Sequence, residues 1–538
     1  MSSSIERSLW PRDESVPLTD HTVGSLLEQR ARELGGAPAL TGSAHGTGAE
    51  RRLGYTELLA EARRVAHALL RDARPGDFVA LWAPNVVEWP IVQYGAALAG
   101  VTLVALNPVL RPQELAYALN HSRSTVLVHA DRSRDYDMAA VVAEVRADCP
   151  RLKRVVSLGQ WESWLHDVDG TLPLAPVDPD SPAMLQYTSG TTGVPKGVLL
   201  RHRSLVNVAK LTMETAETEP RPVCVSPLPM FHTAGCVVAT LGPLWLGGCV
   251  TVVARFEPVA VLDLIRREGA GVLFFVPTIL AALLEAADAS DRPAPALRTA
   301  MVGGSNLPRV MIEKAEKVFG ATVHNIFGQT ELAPVLTMTR RTDSHDDLVR
   351  TVGRPLPQVD CKIVHPVSGD VQPLGAPGEI CARGYQQLIE YLHDPDATAA
   401  TVDADGWVHT GDLGTMDERG VVTVAGRLKE LIIRGGENIA PAEIEAVLIE
   451  HEQVAGAAVV GVPDGRWGET VAVAVRLHQA PAPGLRAELD AHCRAVLAPF
   501  KVPQHWFHVT DLPVTTSGKV QRFRLLKGIA EGLLDPLP

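Results

Sequence analysis

"YTSGTTGVPKG", residues 187–197, places three glycines, four serine or threonine residues and one lysine in eleven positions. Two readings compete. Gly, Ser, Thr and Pro are the residues of surface turns. Glycines that let backbone N–H groups approach an anion, with hydroxyls as added donors, also make a phosphate cradle. A Walker-type loop requires lysine directly after glycine and a hydroxyl directly after lysine. Here Lys196 follows Pro195 and precedes Gly197, so that version is excluded. The stretch also divides the chain, because helix and strand patterns alternate on both sides of it.

Upstream, "YTELLAEARRVAHALL" sets Leu58, Leu59, Ala62, Val65, Ala66 and Leu69 on one helical face. The β-rich runs "DFVALWA", "VTLVALNP" and "TVLVHA" are separated by helical segments such as "QELAYALNH". Downstream, "CVTVVARF", "AVLDLIRREG", "GVLFFVPT" and "RTAMVGG" repeat the rhythm. Strands alternating with crossover helices predict parallel sheets covered on both faces, hence two α/β subdomains. Beyond them, "CKIVHP", "GEICARG" and "GVVTVAG" are short strands bounded by Gly and Pro, which predicts a small β-rich subdomain. The pattern then turns α+β. Pro441 stands at a first helical position, with Glu443 and Glu445 expected in the first turn to complement the dipole. Ile444, Val447 and Leu448 form that helix's apolar face. The expected division is a large N-terminal domain over 1–427 and a smaller, mobile C-terminal domain over 428–538.

Composition narrows the function classes. Apolar residues make up 46% and charged residues 21% of 538, the balance of a globular protein with a large core. A net charge of −12 argues against nucleic acid as the main partner. The cysteines, at 149, 224, 236, 249, 361, 381 and 493, form no C-x-x-C and no Cys/His group with zinc spacing. Their odd, dispersed number fits reduced thiols in a cytoplasm. "MSSSIERSLWPRDES" has no apolar core of signal-peptide length. The longest apolar stretch, "GCVVATLGPLWLGGCVTVVA", is broken by glycines and a proline and predicts a buried helix followed by a strand, not a membrane span. A cytoplasmic enzyme is the expectation, with the sequence leaving monomer and homodimer equally open.

Four further segments are too polar and glycine-rich for plain core. In "HNIFGQTE", 324–331, Thr330 is suited to a phosphate oxygen and Glu331 is a hard oxygen ligand for Mg²⁺; the same residues also suit a capped helix N-terminus. In "WVHTGDLG", 407–414, Asp412 offers two acceptor oxygens to a pair of ribose hydroxyls, or sits in an ordinary Asp-containing turn. "GRLKELIIRGGENIAP", 426–441, carries Arg427, Lys429 and the Gly435–Gly436 pair, which also read as a solvated face and a hairpin turn. "TTSGKVQR", 515–522, presents Lys519 on a tight loop.

Taken together and in order, these segments, with "PLPMFHTAG" at 227–235 and "GGSNLP" at 303–308, resemble the adenylate-forming superfamily of acyl-CoA synthetases, carrier-protein adenylation domains and luciferases. The resemblance covers nearly the whole chain, about residues 20–525, and is most like a bacterial acyl-CoA synthetase. It implies a carboxylic acid, ATP and CoA as substrates, Mg²⁺ as metal, and two half-reactions through an acyl-adenylate. Thr188, Ser189, Gly190, Thr191, Thr192 and Lys196 then match the loop around the ATP phosphates. Thr330 matches an α-phosphate donor, Glu331 the metal ligand, and Asp412 and Arg427 the ribose contacts. Gly303, Gly304, Asn325, Phe327 and Gly328 match the adenine slot, Phe327 standing where the family more often has Tyr. Lys519 matches the lysine that bridges carboxylate and α-phosphate, and Lys429 the hinge about which the C-terminal domain rotates. Gly435 and Gly436 match the pantetheine tunnel, His232 the residue gating the thiol side of the acyl pocket, and Trp467 and Phe500 aromatics that hold the CoA adenine. Val502 and Gln504 replace basic residues found in benzoate-type ligases.

The segment after "PLP" lacks the acid with which amino-acid-activating domains hold an ammonium, and the expected pocket stretches are small and apolar. A hydrophobic or bulky uncharged acid is therefore expected. The alternatives are a ligase that loads an acyl-carrier protein, a member performing only the thioester-forming half, and a non-enzymatic adenylate-binding protein. Glu331 and Lys519 together argue against the last, since binding alone needs neither.

Overall fold

The computed structural model describes residues 5–188, 195–303, 309–435, 437–514 and 520–538. Two large sheets form its bulk. One has seven strands, in the order Glu390–Tyr391, Lys196–Arg201, Pro182–Thr188, Thr102–Leu106, Phe78–Trp82, Val126–His129 and Arg154–Ser157. The five strands from Pro182–Thr188 onward are parallel, and the two beyond them run antiparallel. The other sheet has nine strands, with a parallel centre built of Thr322–Phe327, Thr299–Gly303, Val272–Phe275, Val223–Ser226, Cys249–Val252 and Pro38–Ser43. The expected α/β pair of subdomains is what the chain adopts.

One continuous core joins both sheets. Val79 and Leu81 of the first and Val250 and Phe274 of the second belong to it, with helices Tyr55–Leu69, Glu88–Ala99 and His202–Thr215. On Tyr55–Leu69 the predicted face is buried at Leu58, Ala62, Val65, Ala66 and Leu69, while Leu59 is half-exposed. Glu88–Ala99 packs so closely that a Cβ at Gly95 would lie 2.5 Å from Val65 Cγ1. All twelve of its residues are buried. The apolar stretch after His232 becomes a π-turn, Ala234–Val238, a short helix, Ala239–Trp245, and the strand Cys249–Val252, as expected.

The β-rich unit is a five-stranded antiparallel sheet of Leu9–Trp10, Val359–Val364, Gly378–Gly384, Val408–Met416 and Val422–Arg427. Its edge strand comes from the far N-terminus, which local patterning gave no reason to expect. The remaining chain builds a separate mixed sheet around Val454–Asp464 and Gly468–Leu477, with its own apolar clusters. Pro441 does open a helix, Pro441–Ile449, but Glu445 corrects the expectation for its first turn. That carboxylate lies beyond the first turn and is turned inward, where it accepts from the Val459 N–H at 2.8 Å and from Arg522 Nη2 at 2.6 Å. Among the described residues no helix is long and apolar enough to cross a membrane.

Candidate active site

Thr188 and Lys196 face each other across the antiparallel hairpin strands Pro182–Thr188 and Lys196–Arg201. Ser189, Gly190, Thr191 and Thr192 lie outside the described residues, as do Gly304, Gly436 and Lys519. At the hairpin's base Tyr117 Oη donates to the Pro195 carbonyl at 3.0 Å. The Lys196 ammonium stands 4.8 Å over the centre of the Tyr391 ring. The hydroxyl of that same tyrosine donates to Glu331 Oε1 at 2.7 Å. Thr330 and Glu331 are buried in a three-residue 3₁₀ turn, Thr330–Leu332, whose N-cap is Gln329, so Thr330 is not a helix cap. Burial and the neighbouring Glu331 both push the Tyr391 phenol well above its ordinary pKa, so it remains a donor.

Gly303 ends one parallel strand, and Asn325 and Phe327 lie on the next, with Gly303 level with Ile326. The carboxyl ends of parallel strands are where such sheets open a crevice. Asn325 Nδ2 donates to the Leu348 and Thr351 carbonyls at 3.0 and 3.3 Å, tying the strand to the end of helix His345–Arg350. Phe327 is half-buried at the strand end. At Gly328 a Cβ would lie 2.0 Å from the Pro334 carbonyl oxygen, so only glycine lets the chain fold back and set Thr330 and Glu331 beside the strand end.

Asp412 is on a strand rather than in a turn, directly opposite Arg427 in the ladder. Its buried carboxylate meets Arg427 Nε at 2.9 Å, while the guanidinium is half-exposed. The residues before Asp412 are fixed by the neighbouring strand. Glu379 accepts from the Gly411 N–H at 3.0 Å through one oxygen and pairs with His409 Nδ1 at 2.8 Å through the other. Cys381 Sγ joins this group at 3.5 Å from His409 Nδ1. Glu379, Cys381 and His409 come from two strands, so linear spacing could not reveal that they meet.

His232 is half-buried just before the π-turn, its Nδ1 accepting from the Ala234 N–H at 3.1 Å. That bond leaves the proton of the neutral ring on Nε2. Gly235 permits the tight turn, since a Cβ there would sit 2.2 Å from the Pro229 carbonyl oxygen.

In the C-terminal part, Gly435 takes φ +60° in the hairpin between Ile432–Arg434 and Glu437–Ile439, and its N–H donates to the Trp467 carbonyl at 2.8 Å. Arg434 gathers the neighbours. Its guanidinium lies 5.9 Å from the Trp467 ring centre, and its Nη1 donates to the Phe500 carbonyl at 2.6 Å. Arg466 covers the same indole at 4.8 Å. Gly435, Trp467 and Phe500 thus form one surface, with Trp467 42% exposed. Lys429 is exposed in the turn Leu428–Glu430. Nearby, Val514 pairs with Val520, and the Gln521 N–H donates to the Pro513 carbonyl. Arg522 follows, bonded to Glu445 and 3.6 Å from Glu430.

Sequence reasoning missed Tyr391, Arg434 and Arg522. Each acts on partners tens of residues away, and neither "LIEYLHDP" nor the flanks of the other two carry a local signal.

The model of the AMP-binding enzyme family matches residues 27–392, and that of the AMP-binding enzyme C-terminal domain matches 443–519. A methyl-dioxo-octahydroindenyl propanoyl:CoA ligase of Rhodococcus jostii is 36% identical, over 93% of this chain and 97% of its own. A mitochondrial medium-chain acyl-CoA ligase of Bos taurus is 31% identical, over 96% of this chain and 89% of its own. The solved structure of the anthranilate CoA ligase AuaEII in complex with anthranoyl-AMP superposes with a TM-score of 0.87 at 25% identity, covering 97% of this chain and 99% of that one.

Proposed function

The chain belongs to the AMP-binding enzyme family, as an ATP-using ligase of the acyl-CoA synthetase group, and we propose that it catalyses both half-reactions on a hydrophobic or bulky uncharged carboxylic acid. The observation that carries this reading is the convergence of Lys196 and Glu331 on Tyr391, a cation and a hard carboxylate that both contact one side chain at the base of the glycine-rich stretch. In the first half-reaction a substrate carboxylate oxygen attacks the α-phosphorus of ATP. The bond from that phosphorus to the bridging oxygen breaks, and pyrophosphate leaves. Two anions must meet, so fixed positive charge and donors are needed where negative charge develops. Lys196 and the hydroxyls of Thr188, Ser189, Thr191 and Thr192 serve the phosphates, and Thr330 the α-phosphate. Glu331, a buried carboxylate already oriented by a phenol, suits Mg²⁺, which takes one or two carboxylates beside phosphate oxygens and would supply charge to the departing pyrophosphate. Asp412 and Arg427 take the ribose, and Gly303, Gly304, Asn325, Phe327 and Gly328 the adenine. Lys519 bridges the reacting carboxylate and the α-phosphate.

In the second half-reaction the CoA thiol, losing its proton, attacks the acyl carbonyl and AMP leaves. Lys519 must vacate the site first, so the domain over 428–538 turns about Lys429. The pantetheine arm then enters past Gly435 and Gly436, with His232 on the thiol side and Trp467 and Phe500 against the CoA adenine. The acyl side is apolar where Gly235, Cys236, Val237 and Val238 are buried, which supports an uncharged substrate. The named substrate of the Rhodococcus jostii relative, a propanoate bearing a methyl-dioxo-octahydroindenyl group, is of that kind. Seven buried free cysteines fit the cytoplasm. The test is ATP–pyrophosphate exchange across a panel of carboxylic acids, followed by product analysis with CoA and with acyl-carrier protein. Exchange with an apolar acid and an acyl-CoA product support the proposal. A thioester formed only on the carrier protein would reassign the acceptor, and thioester from supplied acyl-adenylate without exchange would leave only the second half.

A further inference from the structure

We propose that Tyr391 is a positioning residue for acyl-adenylate formation, holding Lys196 on its ring face and Glu331 on its hydroxyl so that the two charges face the nucleotide instead of each other. The inference rests on the reading above, in which Lys196 meets phosphate and Glu331 meets the metal.

Opposite charges gathered on one side chain attract each other, and a paired lysine and carboxylate would each be withdrawn from ATP. The phenol prevents this by offering each charge a different part of itself. The ammonium is drawn to the negative face of the ring, and the carboxylate oxygen accepts from the O–H at the ring's edge. The backbone around Tyr391 is fastened to both sides it serves. Ile389 N–H donates to Leu199 O at 2.7 Å and Leu392 N–H to Gly197 O at 2.8 Å, which ties the segment to the strand that begins with Lys196. Leu388 N–H donates to the Glu331 carbonyl at 2.9 Å, which ties the same segment to the other partner. The tyrosine's own N–H donates to Thr398 Oγ1 at 2.9 Å. The side chain is buried, so neither contact is the accident of a surface rotamer. Any drift of the hairpin relative to the 3₁₀ turn would have to move this one ring, so its position sets the spacing of the two groups.

The two contacts can be separated by substitution. Tyr391→Phe keeps the ring under Lys196 and removes the donor to Glu331; Tyr391→Leu removes both. With full-length protein, Mn²⁺ binding in the presence of a non-hydrolysable ATP analogue is followed by electron paramagnetic resonance. Exchange is measured against Mg²⁺ and ATP concentration, and thioester formation from supplied acyl-adenylate is measured separately. Loss of one hydrogen bond to a charged group predicts roughly tenfold weaker Mn²⁺ binding and a matching rise in the Mg²⁺ requirement for Tyr391→Phe. Tyr391→Leu should add a several-fold rise in KM for ATP. Thioester formation from the adenylate should stay within twofold of the parent in the Phe variant. Glu331→Gln is the control for the underlying reading. If Glu331→Gln leaves Mn²⁺ binding intact, the metal assignment itself fails. If Glu331→Gln weakens it and Tyr391→Phe does not, the assignment stands and the positioning role is overturned. Equal loss of both half-reactions in the Phe variant would also overturn it, because that is what a merely structural ring would produce.

Discussion

Replacing Gly435 by Ala tests the CoA side of the mechanism at a point where the structure sets the size of the effect. Gly435 has φ +60°, a conformation that costs an L-residue about 1–2 kcal/mol. A Cβ there would stand 2.7 Å from Trp467 Cε3 and 3.2 Å from Cζ3. Ordinary contact begins near 3.4 Å, so the indole must retreat by roughly 0.7 Å. It can do so, because Trp467 is 42% exposed and no backbone atom stands as close. The fold should therefore survive with a modestly lower melting temperature, while the ring moves off Arg434 and Arg466. An aromatic stack is worth about 0.5–1.5 kcal/mol, which at 1.4 kcal/mol per decade is roughly a two- to twelvefold rise in KM for CoA. ATP–pyrophosphate exchange should not change. Trp467→Ala should give a rise of the same size, and the double variant no more than the larger single one, because both changes act through the same ring. Circular dichroism confirms folding, and the two half-reactions are assayed separately. The reasoning is refuted if folded Gly435→Ala keeps its KM for CoA, if exchange falls in proportion, or if the two substitutions add.

Gly328→Ala forces a Cβ to 2.0 Å from a backbone oxygen that cannot swing aside, so about 1–3 kcal/mol or more of stability should be lost. Because Thr330 and Glu331 follow directly, exchange should fall far more than thioester formation from supplied adenylate; equal falls would argue against this assignment of the turn. Asp412→Asn should raise KM for ATP about ten- to a hundredfold through loss of charge-assisted hydrogen bonds worth about 1.5–3 kcal/mol, and should flatten discrimination between ATP and its 2′- or 3′-deoxy analogues. Undiminished discrimination would remove Asp412 from the ribose site. Arg522→Ala should destabilise the C-terminal core by about 1.5–3 kcal/mol, because it leaves the largely buried Glu445 without its cation and with only the Val459 N–H as donor. Burial raises the Glu445 pKa and Arg522 holds it down, so the variant's folded pKa rises further above the unfolded value. A raised acid favours the folded state at low pH and loses that contribution as pH rises through the folded pKa. The deficit against the parent should therefore be larger at pH 8 than at pH 5 in thermal melts, and a pH-independent deficit would contradict the burial argument.

Much of this molecule could be read along the chain. The face of Tyr55–Leu69 followed from helical periodicity, the parallel sheets from strands alternating with helices, and the helix start at Pro441 from its fixed φ. These are short-range causes: a pattern repeats every two or 3.6 residues, or one residue restricts its own backbone. The segments at 187–197 and 324–331 could be singled out as site candidates for the same reason, since the residues of each are contiguous.

Tertiary structure decided the rest. Glu88–Ala99 shows little polar face, because it is buried on every side. Glu445 looked like a dipole partner and became an inward-turned ion-pair partner once Arg522, far along the chain, folded against it. Arg434 meets Phe500 through its carbonyl, a contact indifferent to the identity of that residue and so invisible in it. Tyr391 reaches Glu331 across sixty positions and Lys196 from an adjacent strand. Local propensity determines which segments become strands and turns. Which side chains then face one another depends on strand register and on the packing of elements distant in sequence, a choice made by the whole core at once, and it is that choice which puts one phenol between a lysine and a carboxylate.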